Sequence, residues 1–188
     1  MERAGELRAI LRAEPWLVRV LTVVAALDLP DCWVGAGAVR DLVWDVQYGA
    51  GFDPANIADV DVVFFDADDL TAKHEHDLEA RLHAAEPAVN WDVKNQARVH
   101  LWFEQRFGCP ADPLHSTYDG VATRPERASA VAVRLDAHGE IEVLAPYGLD
   151  DLLDGVWRRN PVRVTDAEWQ ARLDRKRPRE RWPGITLV

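Results

Sequence analysis

A glycine-rich turn lies between a short apolar pair and an amphipathic segment, and it constrains the fold more than any other feature of the sequence. The stretch reads CWVGAGAVRDLVWD. Trp33-Val34 predicts a short strand, and residues 38–48 predict a helix because apolar side chains recur on one side of that segment. Gly35-Ala36-Gly37 joins the two and predicts backbone that another group can approach closely. Such a turn serves either tight packing or a bound phosphate.

The rest of the chain alternates between helical and strand patterns and then forms a hairpin. The predicted elements are helices at 2–29 (with a second helix starting at Pro15), 68–87 and 96–107, strands at 59–66 and 88–95, a hairpin at 129–146, and a short last helix after the capping residue Thr165. The basic tail RKRPRERWPG is interrupted by prolines, which favours a surface segment. This order predicts an α/β (α+β) fold, with a mixed β-sheet flanked by helices, a C-terminal β-hairpin and a short helix.

Composition narrows the classes of function. The 188 residues carry a formal net charge of −10, which argues against an extended nucleic-acid surface because phosphates require clustered Lys and Arg. Cys32 and Cys109 lack the spacing of metal ligands or of a redox pair, so we expect a reduced, cytoplasmic protein. The longest apolar stretch is too short to span a bilayer, and no membrane partner is expected.

Acidic side chains occur where a buried strand is predicted. Residues two apart in a strand share a face, so DVDVVFFD places Asp59 and Asp61 side by side. Two adjacent carboxylates repel each other unless a proton or a cation intervenes, and Mg²⁺ prefers such oxygen ligands. The alternative is that Asp59 caps the preceding loop and Asp61 is a solvated residue at the strand end. If the next strand lies alongside, Asp92 can join them, and three carboxylates around two ions can activate a hydroxyl and stabilise a leaving phosphate.

Two groups of residues are candidates for binding phosphate. The glycine turn leads into a helix, whose first N–H groups and dipole attract an anion, and Arg40 in the first turn adds a cation there. Lys94, Asn95 and Arg98 follow Asp92 and either bind phosphate or base or have a structural role.

The order of GAVRD, DVDVVFFD and a later strand carboxylate resembles the nucleotidyltransferases of the DNA polymerase β superfamily. GAGAVRDLVWD is similar to the matching segment of tRNA CCA-adding enzymes, and residues 15–185 resemble a bacterial family of small nucleotidyltransferase-like proteins. The resemblance implies that Gly35, Ala36 and Gly37 border the triphosphate. Arg40, Lys94 and Arg98 are further nucleotide-binding candidates on the charge of their side chains. The resemblance also implies metal ions on the carboxylates of Asp59, Asp61 and Asp92, with Asp92 contacting the ion that activates the acceptor hydroxyl.

The resemblance implies an enzyme that moves a nucleoside monophosphate from an NTP to a hydroxyl, with two Mg²⁺ ions or, alternatively, Mn²⁺. The acidity and the lack of a large domain after these elements favour a small molecule or a protein as acceptor over RNA. The alternatives are a catalytically inactive nucleotide-binding module with a regulatory or interaction role, and a metal-dependent phosphohydrolase. We expect one domain over residues 1–188, with N-terminal helices (1–30), a catalytic core (31–108) and a C-terminal hairpin, helix and tail (109–188).

Overall fold

A five-stranded mixed sheet forms the centre of the computed structural model, which describes residues 2–188. The strands lie in the order third, second, first, fourth, fifth. The first strand is antiparallel to the second and the fourth, the second and third are parallel, and the last two form an antiparallel hairpin. The mixed sheet and the hairpin are therefore confirmed. The bounds are β1 (Trp33–Gly35), β2 (Val60–Phe64), β3 (Trp91–Asn95), β4 (Ala132–Leu135) and β5 (Ile141–Leu144).

The predicted helices are present, and short ones lie between them. Pro15 occupies the first turn of the second helix, and Thr165 with Glu168 forms the predicted capping box. The short helix that begins at Thr117 lies outside the predicted elements. No helix in the described part of the chain is long and apolar enough to cross a membrane. The bounds are α1 (Glu2–Arg12), α2 (Pro15–Ala25), α3 (Gly37–Tyr48), α4 (Ala72–Ala85), α5 (Val99–Phe107), α6 (Thr117–Ala122), α7 (Asp150–Leu153), α8 (Asp166–Lys176) and α9 (Pro178–Arg181).

The two faces of the sheet have different environments. Alternate residues of β2, among them Val60 and Val62, are buried in the main core with side chains from α1 to α4. On the opposite face Val63 packs with Trp33 and with Val121 of α6 in a much smaller cluster. This second face therefore has room for polar side chains beside the small cluster.

The outer edge of the sheet is closed by carboxylates of α4. The backbone N–H of Val93 donates to Glu79 at 3.1 Å, and that of Asn95 donates to Glu75 at 2.8 Å. An unpaired strand edge is a site for unwanted pairing with other chains, and side-chain acceptors satisfy it here. These bonds also fix α4 against β3.

Most of the basic tail is exposed, in agreement with the predicted surface segment, but Arg181 and Trp182 anchor it to the interior. Trp182 is only 3% exposed, and its indole N–H donates to Asp45 of α3 at 2.7 Å. The guanidinium of Arg181 pairs with the same carboxylate at 2.7 Å. A parallel pair of short strands, β6 (Val156–Trp157) and β7 (Thr186–Leu187), holds the end of the tail. The charged composition of the tail did not indicate that Trp182 and Arg181 bind to α3.

Candidate functional site

Three neighbouring strands place Gly35, Asp61 and Asp92 in one row across the sheet. Gly35 is the register partner of Asp61 in the antiparallel pair, and Asp61 is the partner of Asp92 in the parallel pair. Registered partners lie on the same face of a sheet, so the two carboxylates stand side by side. They share the face of Val63, away from the main core. The structure thus provides the strand adjacency that the sequence left open.

Asp59 precedes β2 by one residue and belongs to the same group of acids. The residue is exposed, yet partial loss of water around its carboxyl, followed by the negative charges of Asp61 and Asp92, raises the pKa of Asp59 above its ordinary value. Lys176 and Arg124 oppose this rise from further away. Three carboxylates therefore act electrostatically on one another at this end of β2.

Two of these carboxylates already have a cationic partner. The Arg124 guanidinium donates to Asp61 at 2.9 Å, and the Lys94 ammonium donates to Asp92. The side chains of Asp61 and Arg124 are 14% and 23% exposed, so their ion pair is partly shielded from solvent. Arg124 follows α6 and is distant from Asp61 in sequence. No local pattern in the sequence identified it as part of the site.

The donor set suits a hard cation, although its present arrangement is not that of a metal centre. Carboxylate oxygens are the ligands that Mg²⁺ prefers, and the pKa of Asp59 is raised first by desolvation and then by the negative charges of Asp61 and Asp92. Within residues 2–188, no group of three or more His, Cys, Asp or Glu side chains is arranged to hold a metal ion. Asp61 and Asp92 are instead engaged by Arg124 and Lys94. A cation would have to replace these partners.

Close packing explains the first glycine of the turn. A Cβ atom on Gly35 would lie 3.1 Å from both the Cβ of Ala132 and the carbonyl oxygen of Val131. The N–H of Ala36 donates to the same Val131 oxygen at 3.1 Å. Gly35 is thus required by the approach of β4, whether or not a phosphate binds.

The remainder of the turn leaves the start of α3 open. A Cβ on Gly37 would meet no atom within 4 Å, so the contacts of the protein itself do not require a glycine there. Ala36, the N-cap, makes no side-chain cap and has φ 57° and ψ −124°. The first N–H groups of a helix have no partner within the helix, and Gly37, the one residue of Gly35–Gly37 that is not buried, is where an anion could reach those of α3.

We expect Ala36→Gly to stabilise the protein. A positive φ is unfavourable for alanine, and relief of this strain outweighs the lost methyl group and the added freedom of the unfolded chain. The gain in the free energy of unfolding should be about 1 kcal/mol, whereas Gly35→Ala should lose about 2 kcal/mol by overpacking against β4. Urea unfolding measures both. A destabilised Ala36→Gly variant would show that the turn is unstrained.

Arg40 does not point to the surface, and this position corrects the expectation of a phosphate contact. Its side chain is only 3% exposed and pairs with Asp41 at 2.6 Å and with Glu126 at 3.5 Å. The guanidinium carbon lies 4.5 Å from the ring centroid of Trp157 and 5.7 Å from those of Trp44 and Trp182. Arg40 therefore forms the centre of a buried tryptophan cage, here defined as these three indoles around it.

Lys94 and Arg98, the other predicted nucleotide ligands, lie along the outer edge of β3. Lys94 contacts Asp92 and therefore borders the acidic row. Arg98 donates to Glu75 at 2.5 Å and to the carbonyl of Leu70 at 3.1 Å, which ties the end of β3 to the start of α4. Arg98 has no contact with the three acids. The two predicted nucleotide ligands therefore differ in position: Lys94 borders the acidic row and Arg98 does not.

The raised pKa of Asp59 predicts a pH-dependent effect of Asp59→Asn. The folded protein holds a proton at Asp59 more tightly than the unfolded chain, so this group lowers stability as the pH rises through its pKa. We expect the variant to melt at a higher temperature than the parent at about pH 7, with the difference vanishing below about pH 4. Asp53→Asn is the control, since asparagine caps a helix equally well. A difference that persists at acid pH would contradict the assignment.

The mixed sheet, the turn into α3 and the acidic row define the class: this is the nucleotidyltransferase fold of a CCA-adding enzyme head domain. A solved structure described as revealing such a head domain matches with a TM-score of 0.80 and 29% identity, over 98% of this chain and 95% of that chain. The chain belongs to the nucleotidyltransferase family whose model matches residues 22–187. No curated protein matches it.

Two larger solved structures share the fold alone. The Thermotoga maritima CCA-adding enzyme complexed with tRNA matches with a TM-score of 0.57 and 15% identity, over 98% of this chain and 42% of that chain. A CCA-adding enzyme complexed with CTP matches with a TM-score of 0.58 and 16% identity, over 96% of this chain and 42% of that chain. The chain thus spans less than half of each of these enzymes.

Proposed function

We propose that this protein transfers a nucleoside monophosphate from an NTP to a hydroxyl group and that the transfer depends on Mg²⁺. The observation that carries the proposal is the row of Gly35, Asp61 and Asp92 across three strands, beside the open start of α3. The carboxylates of Asp61 and Asp92 can bind cations, and the N–H groups at the start of α3 can donate to a polyphosphate. Membership of a nucleotidyltransferase family supports the same reaction class.

The proposed reaction is a single displacement at the α-phosphorus. The acceptor hydroxyl oxygen forms a bond to that phosphorus while the bond to the oxygen bridging to the β-phosphorus breaks, and pyrophosphate leaves with the electron pair. The hydroxyl proton passes to Asp92 or to water. Bound Mg²⁺ supplies charge that lowers the pKa of the hydroxyl and stabilises the leaving oxygen. Asp59 and Asp61 hold this charge in place, and Asp92 contributes on the acceptor side.

The glycine turn and Arg124 position the triphosphate in this proposal. Free N–H groups at the start of α3 bind phosphate oxygens, and the missing side chain of Gly37 lets the phosphate approach the backbone. Asp61 would be one of the carboxylates that hold Mg²⁺, and Arg124 would then be able to donate to a phosphate oxygen instead of to Asp61. The substrate phosphate would thus replace Asp61 as the partner of Arg124, and the metal ion would replace Arg124 as the partner of Asp61.

We favour a small molecule or a protein hydroxyl as acceptor. The net charge of −10 disfavours an extended RNA surface. The assay incubates the protein with each of the four NTPs, labelled at the α-phosphorus, with and without Mg²⁺. We expect Mg²⁺-dependent release of pyrophosphate and transfer of label to the acceptor supplied. Release of inorganic phosphate instead would indicate a phosphohydrolase.

A nucleotide-binding module without turnover is the second candidate. It is favoured by the ion pairs that already engage Asp61 and Asp92, and by the lack of a preformed metal centre in the described residues. Such a module should gain thermal stability from an NTP with or without Mg²⁺ and release no pyrophosphate. The dependence of the thermal shift on Mg²⁺ therefore separates the two candidates.

A further inference from the structure

A cavity lies apart from the acidic row, between α4 and α5 at the outer edge of β3. This groove has a volume of about 370 Å³, which is within the range of small-molecule sites. Its lining includes Glu75, Lys94, Arg98, Trp102 and Arg106. None of its lining residues belongs to the glycine turn or to the three acids, so the groove is a site of its own.

The charge of the groove is opposite to that of the protein. Its lining carries three cations, Lys94, Arg98 and Arg106, against the single carboxylate of Glu75, on a chain with a net charge of −10. Among the residues that the structure describes, Arg106 forms no salt bridge, and its guanidinium lies 5.6 Å from the ring centroid of Phe107. A solvated cation without an acidic partner is available to an anionic ligand.

Arg98 is held in position and keeps donors to spare. Its Nε donates to the Leu70 carbonyl and its Nη1 to Glu75, which uses two of the five N–H groups of the guanidinium. The remaining three N–H groups can serve an anion without further ordering of the side chain. Trp102 adds a broad apolar surface to the groove, suited to the face of a ring.

Lys94 connects the groove to the proposed reaction centre. It lines the groove, donates to Asp92, and lies 3.7 Å from Glu79. The two carboxylates that face its ammonium reduce the positive charge at this end, and Glu75 does so in part at Arg98, so the anionic part of a ligand belongs at Arg106, with the spare donors of Arg98 beside it. A hydroxyl on the same ligand then lies toward Asp92.

We propose that this groove binds the acceptor, and that the acceptor is a small phosphorylated compound with a free hydroxyl, such as a sugar phosphate. Its phosphate is bound by Arg98 and Arg106, its ring packs on Trp102, and its hydroxyl is presented toward Asp92. The assignment rests on the proposed nucleotidyl transfer, which supplies the reason for a second ligand beside the NTP.

Calorimetric titration with ribose 5-phosphate, and with ribose as the uncharged counterpart, tests the proposal. We expect the phosphate compound to bind at least about tenfold more tightly than ribose, and Arg106→Gln to weaken it about tenfold, because a charge-assisted bond is lost. Arg175→Gln, which also removes an exposed arginine from a helix, is the matched control and should leave the affinity unchanged. Both variants should retain the melting temperature of the parent.

Three results would overturn the assignment. Equal binding by the parent and Arg106→Gln would exclude the groove, and equal binding of ribose would exclude a phosphate subsite. A loss confined to Gly37→Ala would place the phosphate at the glycine turn instead. Failure of the proposed function is distinct, since Mg²⁺ with an NTP would then leave the melting temperature unchanged while Arg106→Gln still weakened ribose 5-phosphate. That combination would overturn the acceptor role.

Discussion

Replacing Asp61 with asparagine should remove most of the stabilisation that Mg²⁺ and an NTP together give the protein. Binding to the folded state at about a hundred times the dissociation constant contributes about 2.7 kcal/mol. Asparagine keeps the shape but provides a weaker, neutral ligand, so most of this contribution should be lost. Nucleotide transfer should fall on the order of a thousandfold, because the charge that stabilises the transition state is no longer held in place. A thermal-shift series with and without Mg²⁺ and each NTP measures the first effect, and pyrophosphate release measures the second.

Without ligand, the same Asp61→Asn change should alter the free energy of unfolding by less than about 1 kcal/mol. The amide oxygen still accepts a bond from Arg124, and that guanidinium is 23% exposed and stays hydrated. Asp53→Asn is the control, with unchanged ligand stabilisation and activity. An unaltered response of Asp61→Asn to Mg²⁺ and NTP would place the metal elsewhere, and a strongly destabilised variant would make Asp61 a structural acceptor.

Arg40→Lys should be the most destabilising single change among the charged residues discussed. The ammonium of lysine cannot donate two bonds to Asp41 as a planar fork, and it cannot stack over the indoles of the tryptophan cage while it pairs with Glu126. Burial alone would raise the pKa of Glu126, but Arg40 and Arg172 more than offset it, so this pKa lies below its ordinary value and the buried carboxylate depends on its partners. We expect a loss of about 3 kcal/mol in urea unfolding.

The affinity for NTP, measured per folded molecule, should be unchanged in Arg40→Lys, because Arg40 lies inside the cage and away from the surface. Arg175→Lys, at an exposed helical position, is the matched control and should unfold like the parent. A variant of normal stability that binds NTP weakly would return Arg40 to the phosphates.

The elements of this fold were predictable where local chemistry decides the structure. The alternating pattern of Val131 to Val143 and the turn at Gly139 defined a hairpin, and Thr165 with Glu168 defined a helix start. Strand pairing was a different matter. The register that sets Asp61 beside Asp92 depends on how β2, β3 and α4 pack together, which no local pattern contains.

The candidate site was predictable in its acids and not in its cations. Two aspartates in an apolar strand are unusual enough to be noticed, whereas Arg124 is one arginine among many, and its contact with Asp61 exists only after folding. Arg40 is a similar case, because a cation near a helix start predicts an anion site. Its burial among indoles, which arises only on folding, makes it a structural residue instead. Trp182 likewise was concealed in a charged tail.

The anchoring of the tail at Arg181 and Trp182 also sets the order in which a newly synthesised chain can complete its fold. Asp45 of α3 emerges from the ribosome long before Arg181 and Trp182, which are its partners 136 and 137 residues later. Until those residues leave the exit tunnel, one side of the helix that carries the glycine turn has no cover. Contacts of such high sequence separation slow folding and leave apolar surface exposed during translation. This side of α3 can therefore be completed only after residues 181 and 182 have been synthesised.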